Sequence, residues 1–257
     1  PWLDETQNLL AGLFADFLRR PDQQRELIAA GFAAPPAQQV AAPPRAALDR
    51  LRTALTNPVL GVQATALLDV SSSMATTEGE LTRLANTVGA LASTMNVMPP
   101  DFGLGIWTFG KNVDGANPYR IIADTARLDD AHRGTLMGSL GSIEATSTDS
   151  DECYPALLAA YRNAVENYAA ERTNSILLVT DGPDDESAPS GEELLAAVAD
   201  AGDPAAPIRV DVIVVGGGQG TDTLRTLSRR TGGGYTVLPS SNDLEFGTAV
   251  VGALTTP

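Results

Sequence analysis

The stretch Ala66-Leu67-Leu68-Asp69-Val70-Ser71-Ser72-Ser73-Met74 constrains this chain more than any other. An apolar run ends in one carboxylate, and hydroxyls follow at alternate positions. If residues 64–68 form a buried strand, Asp69 stands at its carboxyl end and the chain turns after it, so that Asp69, Ser71 and Ser73 converge on one point. One charged and two neutral oxygens suit a hard cation such as Mg2+, which retains some waters and leaves a coordination position free. The plainer alternative is an Asp that caps the next helix, beside serines that solvate a turn. That alternative requires no second strand-end Asp, yet residues 175–180 (S-I-L-L-V-T) read as another buried strand and run into Asp181-Gly182.

The pattern between and beyond these strands fills in a fold. Leu81, Leu84, Val88, Leu91 and Met95 fall at helical spacing over residues 80–95. Residues 102–109 are strand-like, and residues 119–123 read as their hairpin partner. A helix is expected over 130–140. Tyr154, Leu157, Leu158, Tyr161, Val165 and Tyr168 mark a longer one, and Ser190-Gly191-Glu192-Glu193 is a capping box opening another. A buried strand over 209–215, a helix over 221–230, a short strand over 235–238 and a closing helix over 243–254 complete the order. Strands alternating with helices imply an α/β fold: a doubly wound, mostly parallel central sheet with one antiparallel edge strand, helices on both faces, and its site at the strands' carboxyl ends.

D-x-S-x-S at a strand end, followed in order by a second strand-end Asp, resembles the metal-ion-dependent adhesion site (MIDAS) of von Willebrand factor A (vWA) domains. The resemblance covers about 200 residues and implies that Asp69, Ser71, Ser73 and Asp181 hold a divalent ion, Mg2+ or alternatively Ca2+ or Mn2+. It also implies a Rossmann-like fold and a protein ligand that supplies a carboxylate to the ion. The family's third element, a Thr in a Gly-Gly-Thr-x-Leu-Tyr context, is altered. Counting back from Tyr154 places Asp151 in the Thr position, both glycines are missing, and Thr148 serves only if the loop is rearranged. With Asp69 and Asp181 a divalent ion is balanced and still attracts a partner's carboxylate. A third carboxylate from Asp151 favours tighter binding or a larger, more oxygen-demanding ion such as Ca2+. Alternatively Asp149, Asp151 and Glu152 only line a solvated loop and favour the N-terminus of the following helix. Asp149, Glu152, Asp184, Asp185 and Glu186 form the expected acidic rim.

The N-terminal part differs in character. Leu9, Leu10, Leu13, Phe14, Phe17 and Leu18 form an amphipathic stripe, followed by a Pro-led turn at Arg20-Pro21-Asp22-Gln23-Gln24 and by Gly31-Phe32. Over about 35 residues this is similar to the end of a bacterial extracellular solute-binding protein. Pro35-Pro36 and Pro43-Pro44 mark a linker, with a short helix over 45–55. The expected division is an N-terminal helical segment and linker over 1–57 and a vWA domain over 58–257.

A net charge of −15 disfavours nucleic-acid binding, and no apolar run approaches the ~20 residues of a membrane helix. Lys111 is the sole lysine and alanine is abundant, which points to a GC-rich bacterial genome. The resemblances place the chain outside the cytoplasm or at the cell surface. Pro1 is no initiator, so a signal or anchor is expected to have been lost by processing.

Enzymatic readings are weaker. His132, the sole histidine, is badly placed in the sequence to serve Ser71, Ser73 or Cys153 in a triad. Residues 105–112 nearly match a phosphate loop but end in Asn112 inside a hairpin, and Gly216-Gly217-Gly218-Gln219-Gly220 reads as a flexible strand-to-helix loop. An aspartyl phosphatase usually has a second Asp where this chain has Ser71. The expectation is a non-enzymatic, cation-dependent binding module. The alternatives are an accessory or scaffold domain of a cell-envelope solute-uptake system with a structural or degenerate metal site, and a metal-dependent hydrolase.

Overall fold

Strand β1 (Val62–Asp69) is buried on both faces, with apolar side chains at Val62, Ala64, Ala66, Leu67 and Leu68. It is the centre of a sheet that includes β4 (Gly103–Asp114), β5 (Asn117–Arg127), β6 (Thr173–Thr180), β7 (Ile208–Val215) and β8 (Tyr235–Leu238), in the order β5-β4-β1-β6-β7-β8. All neighbours are parallel except β4 and β5, which pair antiparallel at one edge. The computed structural model describes residues 13–32, 61–183, 188–218 and 221–256. The chain divides into two compact units, Pro1–Leu51 and Arg52–Pro257. In the first, residues 13–18 are helical and helix α1 spans Pro21–Ala29, so Pro21 opens a helix instead of leading a turn, a position its fixed φ suits. The expected linker and the helix over 45–55 lie outside the described residues.

Alternation along β1 sends Ala64, Ala66 and Leu68 to one face and Leu67 to the other. The first face packs on α2 (Arg83–Val97), α3 (Asp130–Leu140) and α7 (Leu244–Thr255) through Leu84, Leu91, Leu136, Phe246 and Val250. The second packs on α4 (Cys153–Glu166), α5 (Gly191–Ala201) and α6 (Asp222–Thr231) through Tyr154, Leu157, Leu194, Val198 and Leu224. Each such fully buried side chain contributes roughly 1.5–3 kcal/mol, so these two layers hold the sheet without help from a ligand.

Helix boundaries follow the caps. Asp129 caps α3 by accepting the His132 N–H at 2.9 Å. The capping box at α5 is formed in both directions: Ser190 Oγ accepts the Glu193 N–H at 3.4 Å, and Glu193 Oε2 accepts the Ser190 N–H at 2.8 Å. Ser190→Ala is expected to cost about 1 kcal/mol, read as a shift of the urea midpoint with an unchanged slope.

In the second unit two elements differ most from the sequence expectation. The helix expected over 80–95 starts at Arg83, because Thr82 accepts the Ala85 N–H and residues 77–82 form a tight hairpin, β2 (Thr77–Glu78) and β3 (Leu81–Thr82), that leaves Leu81 exposed. The β4–β5 hairpin is longer than expected and runs to the turn at Gly115. Past Gly110 only Val113 of β4 still reaches the core, and the continuous apolar signal that marks a buried strand stops before it.

Candidate metal centre

The chain leaves β1 for β4 on one side and returns in β6 on the other, so the crevice beyond the carboxyl ends of β1 and β6 is the sheet's switch point. Asp69 sits there with 0% of its surface exposed. Its Oδ1 accepts the Ser71 N–H at 2.8 Å, and its Oδ2 accepts the Thr180 hydroxyl at 2.7 Å. Thr180 Oγ1 in turn accepts the Gly182 N–H at 3.0 Å. These bonds fix the plane of the carboxylate. A 3₁₀ turn, Ser72–Ala75, brings Ser73 back so that its Oγ lies 2.9 Å from that of Ser71 and donates to Asp181 Oδ1 at 2.9 Å. Ser73 spends its proton on Asp181, so Ser71 donates to Ser73. Thr180 was not singled out from the sequence; the only hint is a hydroxyl closing an otherwise apolar strand.

Backbone bonds dock the acidic loop against this point. Val70 O accepts the Thr146 N–H at 2.6 Å, Thr148 O accepts the Ser72 N–H at 2.9 Å, and Ser150 O accepts the Lys111 N–H at 3.1 Å. The Ser72 hydroxyl donates to Asp149, which is exposed at the rim. Thr148 turns its hydroxyl to that of Thr146, 3.2 Å away. Asp151 is only 2% exposed, and its Oδ1 accepts the Cys153 N–H at 3.0 Å, so it caps α4 as well as facing inward. Glu152 makes this possible by adopting the left-handed region at φ 52, ψ 41, a conformation that costs an L-residue roughly 1–2 kcal/mol. Asp184, Asp185 and Glu186 lie outside the described residues.

Burial, and then the negative charge of Asp151, push the Asp69 carboxyl up to about 7. Among the described residues no three Asp, Glu, His or Cys side chains stand close enough to hold an ion by themselves. The oxygens that gather at this point are of another kind: the carboxylates of Asp69 and Asp181 with the hydroxyls of Ser71 and Ser73, and Asp151 buried near enough for its charge to act on Asp69. All are hard oxygens, some already oriented by protein donors. That chemistry fits Mg2+, Mn2+ or Ca2+ better than an ion that prefers nitrogen or sulfur.

Two residues at the site were absent from the sequence reading. Arg83 Nη1 donates to Asp181 Oδ2 at 2.8 Å and its Nε donates to Glu78 Oε1 at 2.6 Å. Burial works against the Glu78 charge. The Ser241 N–H, the Arg83 guanidinium and the hydroxyls of Ser241 and Ser240 outweigh it and hold the carboxyl at about 2. The glycine run after β7 also belongs to the site. A Cβ at Gly218 would collide with the Asp181 carbonyl, and one at Gly216 (φ 73) with the Arg83 guanidinium. These glycines permit close approach, a more specific role than flexibility. His132 Nε2 lies 2.7 Å from Leu104 O, and Leu104 pairs with Ala64 near the start of β1, away from Asp69.

The von Willebrand factor type A domain family model matches residues 65–246. An uncharacterized protein of Mycobacterium tuberculosis, Rv1836c, is 30% identical over 264 residues, covering 97% of this chain and 38% of the relative, so the chain spans little more than a third of that protein. Among solved structures, a von Willebrand factor type A protein from Catenulispora acidiphila superposes with a TM-score of 0.58 at 15% identity, covering 75% of this chain and 41% of that one. Proximal thread matrix protein 1 of the mussel byssus, solved with a zinc-occupied MIDAS motif, gives 0.54 at 14% identity and covers 79% and 51%. These two likenesses speak to the fold alone. Taken with the extent of the family match, they lead to one conclusion: the chain belongs to the von Willebrand factor type A domain family.

Proposed function

We propose that this chain is a divalent-cation-dependent protein-binding module acting through a metal-ion-dependent adhesion site. The observation that carries the reading is the burial of Asp69 and Asp151 near enough for one charge to act on the other, with Ser71, Ser73 and Asp181 linked to one another beside Asp69. Two adjacent buried carboxylates are costly unless a cation accompanies them. Asp69 and Asp151 would hold the ion with the two serine hydroxyls, and Asp181 would complete the set. When bound, the ion offers an open position to a carboxylate from a partner protein. The third carboxylate favours Ca2+ over Mg2+ and Mn2+ and weakens the pull on an acidic ligand, so the surrounding rim at Asp149 and Glu152 shares in recognition. Among the described residues no helix is long and apolar enough to cross a membrane. On this reading the module works outside the cytoplasm or at the cell surface of a bacterium and has no catalytic role.

Calorimetric titration of chelator-treated protein with Mg2+, Mn2+ and Ca2+ tests this. Saturable binding is expected, weakened ~100-fold or more in Asp69→Ala, because that change removes a directly coordinating charge. Asp151→Thr is expected to shift preference from Ca2+ toward Mg2+. No heat with any of the three ions would sink the cation-dependent reading.

A second reading has its own support. The N-terminal segment resembles the end of a solute-binding protein, and the chain spans 38% of its longer relative. An accessory domain in a solute-uptake assembly would bind its partner equally well in excess chelator, whereas the first reading requires that binding be lost.

A further inference from the structure

We propose that Arg83 is a tethered cation that sets how much negative charge this site presents to an ion, and thereby the site's affinity and its choice of ion. The proposal rests on reading the site as a cation centre.

Both oxygens of Asp181 are engaged, Oδ1 by the Ser73 hydroxyl and Oδ2 by Arg83 Nη1. The guanidinium and its two carboxylate partners are largely buried: side-chain exposure is 17% for Arg83, 11% for Glu78 and 9% for Asp181. Solvent therefore screens little of this interaction. Arg83 is also cornered. It sits in the first turn of α2 behind the Thr82 cap, it lies against Gly216 where no side chain fits, and its Nε is held by Glu78. Glu78 cannot swing away with it. Its Oε2 accepts from the Ser240 hydroxyl at 3.0 Å, the Ser241 N–H at 2.6 Å and the Ser241 hydroxyl at 2.8 Å. These donors anchor the Glu78 carboxylate, which shares the guanidinium charge and leaves its other edge committed to Asp181.

This arrangement lessens the surplus charge that Asp151 brings. Asp69 and Asp151 balance a divalent ion between them. Asp181 is the carboxylate in excess, and Arg83, shared with Glu78, offsets part of its charge. Removing the guanidinium frees an oxygen of Asp181 and deletes a positive charge that repels an incoming cation. The gain should be larger for Ca2+, which takes up additional carboxylate oxygens more readily than octahedral, water-retaining Mg2+.

The experiment is calorimetric titration of the chelator-treated full chain with Ca2+ and with Mg2+, using wild type, Asp69→Ala, Arg83→Met, Arg83→Gln, Glu78→Gln, Asp181→Asn and the pair Arg83→Met/Asp181→Asn. Arg83→Met is expected to tighten Ca2+ about tenfold, with a smaller gain for Mg2+. Arg83→Gln keeps a donor for Asp181 without the charge and should move the same way, which covers the case in which Met at this position fails to fold. Glu78→Gln should weaken binding, because the whole guanidinium charge then falls on Asp181. In the Asp181→Asn background the Arg83 substitution should change affinity by less than about threefold. Weaker or unchanged binding in both Arg83 variants overturns the proposal, as does an equal effect with Asp181→Asn. Binding lost in Asp69→Ala yet indifferent to Arg83 overturns this proposal alone; no binding in wild type overturns the cation reading with it.

Discussion

Metal-free protein is expected to lose about 4 kcal/mol of folding stability as the pH rises from 3.8, the ordinary Asp value, to about 7, where the buried Asp69 ionises. In the unfolded chain Asp69 sheds its proton near 3.8. In the folded chain, burial first and the charge of Asp151 second keep it protonated up to about 7. Between those values the folded state holds a proton that the unfolded state has released, so raising the pH favours unfolding. The penalty is absent below the lower value and complete above the upper one. Glu78 works in the opposite sense. Its carboxyl is held at about 2, below its ordinary 4.5, so its contribution is complete above 4.5 and fades as the pH falls toward 2. The metal-free protein should therefore be most stable at mildly acid pH. Urea denaturation of chelator-treated wild type and Asp69→Asn across this range isolates the effect, because the general self-repulsion of a chain with net charge −15 is nearly common to both. Wild type should fall relative to the variant, and parallel curves would refute the assignment. Adding Ca2+ cancels the trend: the ion binds the ionised carboxylate and displaces its proton, so its stabilisation grows as the pH rises toward 7 and levels off above it.

What the sequence disclosed about this site was the part written in neighbouring residues. Asp69, Ser71 and Ser73 are legible because a strand end and a turn suffice to bring them together. The start of α3 at 130 is legible because Asp129 is a local cap. Arg83 and Glu78 are different. Arg83 meets Asp181 across 98 positions of sequence and Glu78 meets Ser241 across 163, and no local pattern foretells either meeting. On pattern alone Leu81 joins the helix face; in the fold it is exposed in the small hairpin that places Glu78 under Arg83. The roles of Thr148 and Asp151 separate only in three dimensions. Thr146 takes the Thr148 hydroxyl, while the left-handed turn at Glu152 leaves Asp151 buried beside Asp69.

Arg209→Met is expected to cost about 3–5 kcal/mol, although the residue lies on the other side of the sheet's centre from the acidic loop. Residues 209 and 211 point to the same face of β7, and a charged pair in so apolar a strand is tolerated only because its members meet. Arg209 Nε donates to Asp211 Oδ2 at 2.8 Å, with side-chain exposures of 10% and 7%. Arg209 Nη2 also donates to Ala253 O at 2.9 Å in the last turn of α7, and Asp211 Oδ1 accepts the Gly234 N–H at 2.8 Å. Removing the guanidinium leaves the Asp211 carboxylate buried beside that N–H and takes a donor from α7. The cost is that of breaking the pair, which is larger than the worth of the pair itself. Arg209→Met/Asp211→Leu should therefore be clearly more stable than Arg209→Met alone, which denaturation of the three proteins would show. A loss below about 1 kcal/mol for the single variant would instead mean that Asp211 reaches water, as exposed ion pairs do, and that α7 is held on the sheet by Phe246, Val250 and Leu254 alone.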